Sequence, residues 1–266
     1  MTPSKNVWLL GAGALFAASA TAWAWRKTSP ELAVAPGFPG WTPHWTSSAK
    51  QGVGTSLGPQ SNVWFTLYHG IVTEVFFPNA DQPAVAQMEL IVTTRDGFYS
   101  EEKYDTQHRV EYVHDGVPLY RITNTCFEGR YRLEKTVFSH PVIPVVLQRV
   151  RFVPLVGRLE DYRVHVLIAP HLGNRGWHNS AWVGDYEGQP LLFAEEDGHS
   201  AAVAASVPWK KASAGYTGVS DGLRQLRRYG RLTQIYRRAP RGDVRLVGEV
   251  DLMAAEGELT LALGFG

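Results

Sequence analysis

From Trp41 onward, apolar and polar side chains mostly alternate along the chain with a period of two. Tyr162, Val164, Val166 and Ile168 alternate with Arg163, His165 and Leu167, and Tyr131, Leu133 and Val137 alternate with Arg132, Glu134 and Thr136. Near the end, Val244, Leu246, Val250 and Leu252 point one way while Arg245, Glu249 and Asp251 point the other. This period lays one face of each strand on a core and leaves the other in water, as in antiparallel sheets. Turn pairs punctuate the runs at Asp96-Gly97, Asp115-Gly116, Glu128-Gly129, Glu187-Gly188, Asp197-Gly198 and Glu256-Gly257, where glycine accepts the positive φ a tight hairpin needs. Many hairpins and no long helical stretch predict an all-β fold, a large antiparallel sandwich or barrel, with at most a short helical turn at Leu223–Tyr229. The stretch Pro170–Asp185, holding Gly173, Asn174, Gly176, Asn179 and Gly184, reads as a long connection, the kind of segment where binding groups sit on a rigid β scaffold.

The first forty residues follow another pattern. Lys5 precedes an apolar stretch, Val7 to Trp25, that Arg26 and Lys27 close. Residues 1–27 therefore read as a hydrophobic helix for export, either a signal peptide or a membrane anchor. Ala18-Ser19-Ala20 and Ala22-Trp23-Ala24 offer small residues for cleavage, whereas the length approaches the roughly 20 residues that span a bilayer. Basic residues at both ends leave the orientation open. Residues 28–40, with Ala35-Pro-Gly-Phe-Pro-Gly40, read as an extended Pro/Gly linker, and 41–266 as the folded domain. The expected location is outside the cytoplasm, periplasmic or extracellular, with membrane contact through the N-terminal segment alone.

Composition narrows the function. A formal net charge of +1 supplies no general attraction for a polyanion, so nucleic acid is not an expected partner. The single cysteine, Cys126, excludes an internal disulfide and, within the run Tyr120–Phe127, reads as a small buried hydrophobe. The nine histidines show no metal-ligand spacing; His171 and His178 are seven apart, and neither a metal nor another cofactor is expected. No Gly-x-Ser-x-Gly elbow is present. Arg241-Gly242-Asp243 reads as a hairpin turn before Val244 rather than an adhesion tripeptide.

Glycoside hydrolysis usually needs two carboxyl groups, one to protonate the leaving group and one as base or nucleophile. Glu101-Glu102, Glu195-Glu196 and Asp161 qualify by residue type, but neighbours in a strand face opposite ways and surface solvation accounts for them, so no catalytic residue is assigned. Among the aromatics, Trp64, Phe65 and Phe77 read as core. Trp177, Trp182 and Tyr186, in or beside the Gly/Asn-rich connection, are the candidates for carbohydrate or domain contact, since sugars stack their C–H faces on aromatic rings.

Several stretches, in order, resemble the N-terminal β-domain of bacterial glucoamylases and glucodextranases of glycoside hydrolase family fifteen. They include Trp45-Thr-Ser-Ser-Ala-Lys50, Val63-Trp-Phe-Thr-Leu-Tyr-His-Gly70, Glu74-Val-Phe-Phe-Pro78, Ser100-Glu-Glu-Lys103 with Asp105, and Arg121-Ile-Thr-Asn-Thr-Cys126. Ala169–Gly176, Ala181–Tyr186 and Gly215–Gly222 continue the likeness toward Gly266. The resemblance implies a super-sandwich of two large antiparallel sheets, similar to the galactose mutarotase-like fold. It also implies a partner: in the family this domain precedes an (α/α) barrel that carries both catalytic glutamates. With the sequence reaching Gly266 at a last strand, the expectation is a non-catalytic accessory domain that supports or docks to such a barrel, with α-glucan oligosaccharides as the other candidate partner. The alternatives are a stand-alone carbohydrate-binding module and a mutarotase-type sugar epimerase.

Overall fold

The computed structural model describes residues 31–266, so the expected export helix, at Val7–Trp25, lies outside the described residues. Eighteen strands follow one another: β1 (Glu31–Val34), β2 (Gly52–Thr55), β3 (Trp64–Tyr68), β4 (Ile71–Phe76), β5 (Pro83–Thr94) and β6 (Tyr99–Glu101). Next come β7 (Thr106–Tyr112), β8 (Tyr120–Cys126), β9 (Tyr131–Ser139), β10 (Val145–Pro154), β11 (Tyr162–Pro170) and β12 (Asn179–Tyr186). The last six are β13 (Gln189–Glu196), β14 (His199–Ala205), β15 (Trp209–Tyr216), β16 (Ile235–Gly242), β17 (Val244–Val250) and β18 (Glu258–Phe265), with helix α1 (Gly222–Tyr229) between β15 and β16.

Two sheets form a sandwich, which is one of the two architectures the alternation allows and the one the family resemblance implies. One has ten strands in the order β1-β16-β12-β13-β14-β18-β10-β9-β8-β7. The other runs β15-β17-β11-β5-β4-β3-β2, with β6 added beside β5. Pairing is antiparallel except for β1 on β16. Five of the six acidic-Gly turns join strands that pair directly. The sixth, Glu256-Gly257, instead carries the chain from β17 in one sheet to β18 in the other. Arg241-Gly242-Asp243 likewise is a link between sheets and not a hairpin, with Asp243 buried.

Three expectations change. The linker assigned to residues 28–40 contains β1, and the order continues past it: Ala35 is buried, its N–H donates to Arg238 O, and Pro39 O accepts from Asp243 N–H. Folded structure therefore begins before Trp41. The long connection expected over Pro170–Asp185 shrinks to residues 171–178, because β11 ends at Pro170 and β12 begins at Asn179. The loop-like residues there have packing roles. The Asn179 side chain accepts from Leu172 N–H and donates to Arg175 O, while a Cβ on Gly184 would come within 3.0 Å of Trp182 and Phe193. Finally, the outward face of β11 and β17 is not all solvated. Helix α1, capped by Asp221 and closed by Gly230 at φ +62°, lays Leu223 and Leu226 with Leu232 and Ile235 over Ile91, Leu167 and Val247 as a second, smaller core.

Between the sheets the core is mainly apolar, with Gln148 on β10 and one charged cluster among the exceptions. Inward-facing Lys135 on β9 forms an ion pair with Glu102, which follows β6 in the other sheet, and both side chains are wholly buried. Lys135 Nζ and Asn124 Nδ2 donate to Gly70 O, at 2.7 and 2.9 Å. Asn124 also donates to Glu102 Oε1, and Glu102 Oε2 accepts Leu90 N–H at 2.9 Å. Burial pulls the Lys135 ammonium down in pKa, and the Glu102 carboxylate opposes that shift. Removing one member of such a pair strands the other charge in a low dielectric, at a cost of roughly 3–5 kcal/mol. Lys135→Met is expected to lower stability by about that amount, read from urea unfolding. Glu102→Gln/Lys135→Met should recover part of the loss, because glutamine still accepts from Leu90 and no charge remains. An unchanged midpoint in Lys135→Met would refute the clamp.

Candidate functional site

The aromatic candidates separate. Ala181 and Val183 of β12 enter the core, so Trp182 and Tyr186 project from the outer face of the ten-stranded sheet, while Trp177 stands in the connection before the strand. Trp177 and Tyr186 are 43% and 61% exposed. Trp182 is half-buried and stacks on Phe193 of β13, ring centroids 5.2 Å apart and planes at 13°. It lines a depression of about 420 Å³ with Ser180, Glu195, Arg238 and Pro240, which neither Trp177 nor Tyr186 lines. Of the aromatics expected in the core, Phe65 is fully buried, Phe77 packs on the core and stacks on Phe265, and Trp64 is half-buried.

The carboxylates are less solvated than their sequence context suggests. Glu101 and Glu102 are both buried, Glu102 in the clamp and Glu101 beneath an Arg227 guanidinium of α1, whose Nε donates to it at 2.7 Å. Tyr99 also donates to Glu101. Glu195 is exposed and Glu196 buried, so this pair does face opposite ways. Asp161 is exposed and accepts Arg158 N–H at a 3-10 turn, Leu159–Asp161.

Glu89 on β5 was not singled out by its sequence context. It is 1% exposed, accepts from Gln87 Nε2 at 3.0 Å, and leaves Oε2 without a partner. Burial, and behind it the Glu101 charge, pushes its carboxyl up to about 8, so it is mostly protonated at neutral pH. The only sequence signal would have been its place in the alternation: Met88, Leu90 and Val92 face the main core and Glu89 the opposite side, where the loss of solvent comes from other elements.

A second cluster lies where β11 runs out. Trp45 sets its ring edge-on to His171, with centroids 4.5 Å apart, and His171 Nε2 is 3.9 Å from Asp243 Oδ1. Burial, then the charge of Arg245, holds the His171 imidazole down to about 4, and burial raises Asp243 to about 6. Burial thus disfavours the charged form of both groups, and 41% exposed Trp45 stands over them. Residues 41–51 reach this place by crossing the sheet. Trp41 N–H donates to Thr217 O after β15, Thr46 Oγ1 and Lys50 hold Glu74 on β4, and Gln51 N–H donates to Leu67 O on β3. Among the described residues, no three His, Cys, Asp or Glu side chains group to hold a metal ion.

The Glu89 carboxyl makes stability depend on pH. Its folded pKa, about 8, stands above the ordinary 4.5, so the folded state holds a proton that the unfolded chain releases between those values. The resulting stabilisation is full below the unfolded pKa and is lost as pH rises through the folded one. Glu89→Gln is therefore expected to gain on the parent protein as pH rises from about 5 to about 8, measured as urea midpoints across that range. A difference that stays flat would remove Glu89 as the cause.

Comparison with known proteins accords with this architecture. Residues 35–266 match the family model described as glucodextranase, domain N. A glucoamylase from Clostridium sp. (strain G0005) is 33% identical over 228 residues, covering 86% of this chain and 32% of that protein. The crystal structure of a bacterial glucoamylase complexed with acarbose superposes with a TM-score of 0.86 at 32% identity, covering 88% of this chain and 35% of the other. The chain thus spans about a third of the length of these relatives. With its two-sheet sandwich matched along almost all of the described residues, the chain belongs to the glucodextranase domain N family.

Proposed function

We propose that this chain is the accessory β-domain of an α-glucan-degrading glycoside hydrolase of the glucoamylase or glucodextranase type, and that it supports or docks onto a catalytic (α/α) barrel. The observation that carries this reading is the lopsided coverage: 88% of the chain superposes on only 35% of a glucoamylase. Most of that relative therefore corresponds to no part of this chain. The state of the carboxylates supports it. Glu102 is neutralised by Lys135, Glu101 is held by Arg227 and Tyr99, and neither is available to a glycosidic oxygen. The same proposal takes Val7–Trp25 as the segment that exports or anchors the protein, which fractionation of the expressed full chain would check.

The test is glucose release from maltotetraose, isomaltotriose and dextran. The folded chain alone is expected to give no turnover. Adding a separately produced barrel portion of a family glucoamylase should give a complex detectable by sedimentation and raise the thermal stability of that portion. Saturable turnover by the chain alone would overturn the accessory reading, and so would a barrel whose sedimentation and stability the chain leaves unchanged.

A further inference from the structure

A groove made of two adjoining depressions runs from the outer face of the ten-stranded sheet, where Glu195 stands, round the strand ends to Glu196 on the other side. The first, about 420 Å³, has Trp182 in its wall with Ser180, Glu195, Arg238 and Pro240. The second, about 720 Å³, is bounded by Arg175, His178, Glu196, His199 and Arg241, and shares Ser180 and Glu195 with the first. Each lies within the roughly 300–1,000 Å³ typical of small-molecule sites, and the shared wall makes them one path long enough for more than one ring.

The strand register explains why an aromatic ring stands open there. Trp182 lies between Phe193 of β13 and Arg238 of β16 as cross-strand neighbours. Phe193 covers one side of the indole, and it does not line the first depression, so that depression opens on the side of β16. Gly184 keeps the stacked pair close to the sheet, since a side chain there would press on both rings. The indole is thus backed, held in one orientation and given a free side bounded by a guanidinium and a carboxylate.

The second depression carries an independent mark of a missing ligand. The Glu196 side chain is 4% exposed, with Oε1 4.0 Å from His178 Nδ1, and its Oε2 has no hydrogen-bond partner. His199 Nδ1, in the same wall, is also without one. Buried polar atoms left unpaired are costly. Both atoms are closed off from solvent, so a guest reaches them once the side chains turn toward the depression, where a hydroxyl donates to the carboxylate and accepts from or donates to the imidazole. Charge favours no strongly charged guest. Four arginines, Arg175, Arg237, Arg238 and Arg241, stand against three acids, Glu195, Glu196 and Asp197, so the lining carries a formal excess of a single positive charge, a weak field for a polyanion.

We infer that this groove is a binding site for a neutral oligosaccharide, with one sugar ring against Trp182 between Arg238 and Glu195 and the next reaching toward Glu196 and His199. An apolar ring face with hydroxyls around its rim matches an aromatic plate set between charged hydrogen-bonding groups. The site stands on its own residues and does not require a barrel. The choice of an α-glucan as guest rests on the proposed function.

Calorimetry of the full chain with maltotetraose, isomaltotriose and cellotetraose tests it. Saturable heat is expected with at least one of these at millimolar concentration, and none with a heparin fragment. Trp182→Ala should weaken binding at least tenfold. Because that change also removes a packing contact, Arg238→Ala and Glu195→Gln, both at exposed positions, provide a second reading and should each weaken binding several-fold with an unchanged thermal midpoint. No heat with any neutral sugar, or equal affinity in all three variants, would overturn the site. Binding of cellotetraose but not of either α-glucan would uphold the groove and count against the α-glucan reading instead.

Discussion

A charged pair buried between the two sheets is the constraint on which the arrangement depends. Glu102 belongs to the eight-stranded side and Lys135 to the ten-stranded side, and neither can leave its sheet without stranding the other. The pair is tied into backbone on both sides: Gly70 at the β3–β4 turn accepts from Lys135 and Asn124, and Leu90 of β5 donates to Glu102. Apolar contacts tolerate sliding because they are non-directional, whereas these bonds have fixed distances and angles. The clamp therefore sets how one sheet registers over the other, while the surrounding core supplies most of the favourable free energy.

With the interior committed to holding the sandwich together, the outer faces are where recognition can occur, and they differ. The eight-stranded sheet is largely covered. Helix α1 buries Ile91, Leu167 and Val247, and the segment from Trp41 to Gln51 crosses from β15 to β3 over His171 and Glu74. That cover explains the buried acids Glu89 and Glu101 on this side, which take a proton or a guanidinium in place of water. Around β12 and β13 the ten-stranded sheet keeps a wet, sculpted surface in which Trp182 stands among Arg and Glu side chains.

The alternation of Tyr131, Leu133 and Val137, the matching rows in β11 and β17, and the acidic-Gly turns were sufficient for an all-β fold, sandwich or barrel, because side-chain period and turn φ are local properties of the chain. The segment Pro170–Asp185 misled for a local reason too. Gly184 and Asn179 resemble loop residues, but one makes room for two stacked rings and the other satisfies backbone groups of the preceding turn. Lys135 carried a legible anomaly, a cation at an inward position of an otherwise apolar row, yet nothing in the sequence names Glu102 as its partner, 33 residues earlier and in the other sheet.

By itself, then, the sequence determined the class of fold, the strands, most hairpins, the burial of Cys126 and, through its resemblance, the family. Tertiary structure alone decided which carboxylates lie dry, which aromatic has an open side, and which turns stay within a sheet or cross to the other. Those outcomes depend on residues brought together from distant parts of the chain, such as Arg227 over Glu101 and Arg238 beside Trp182. Period and propensity act over a few neighbouring residues, whereas burial and pairing are set by what packs on top, and no local pattern encodes that.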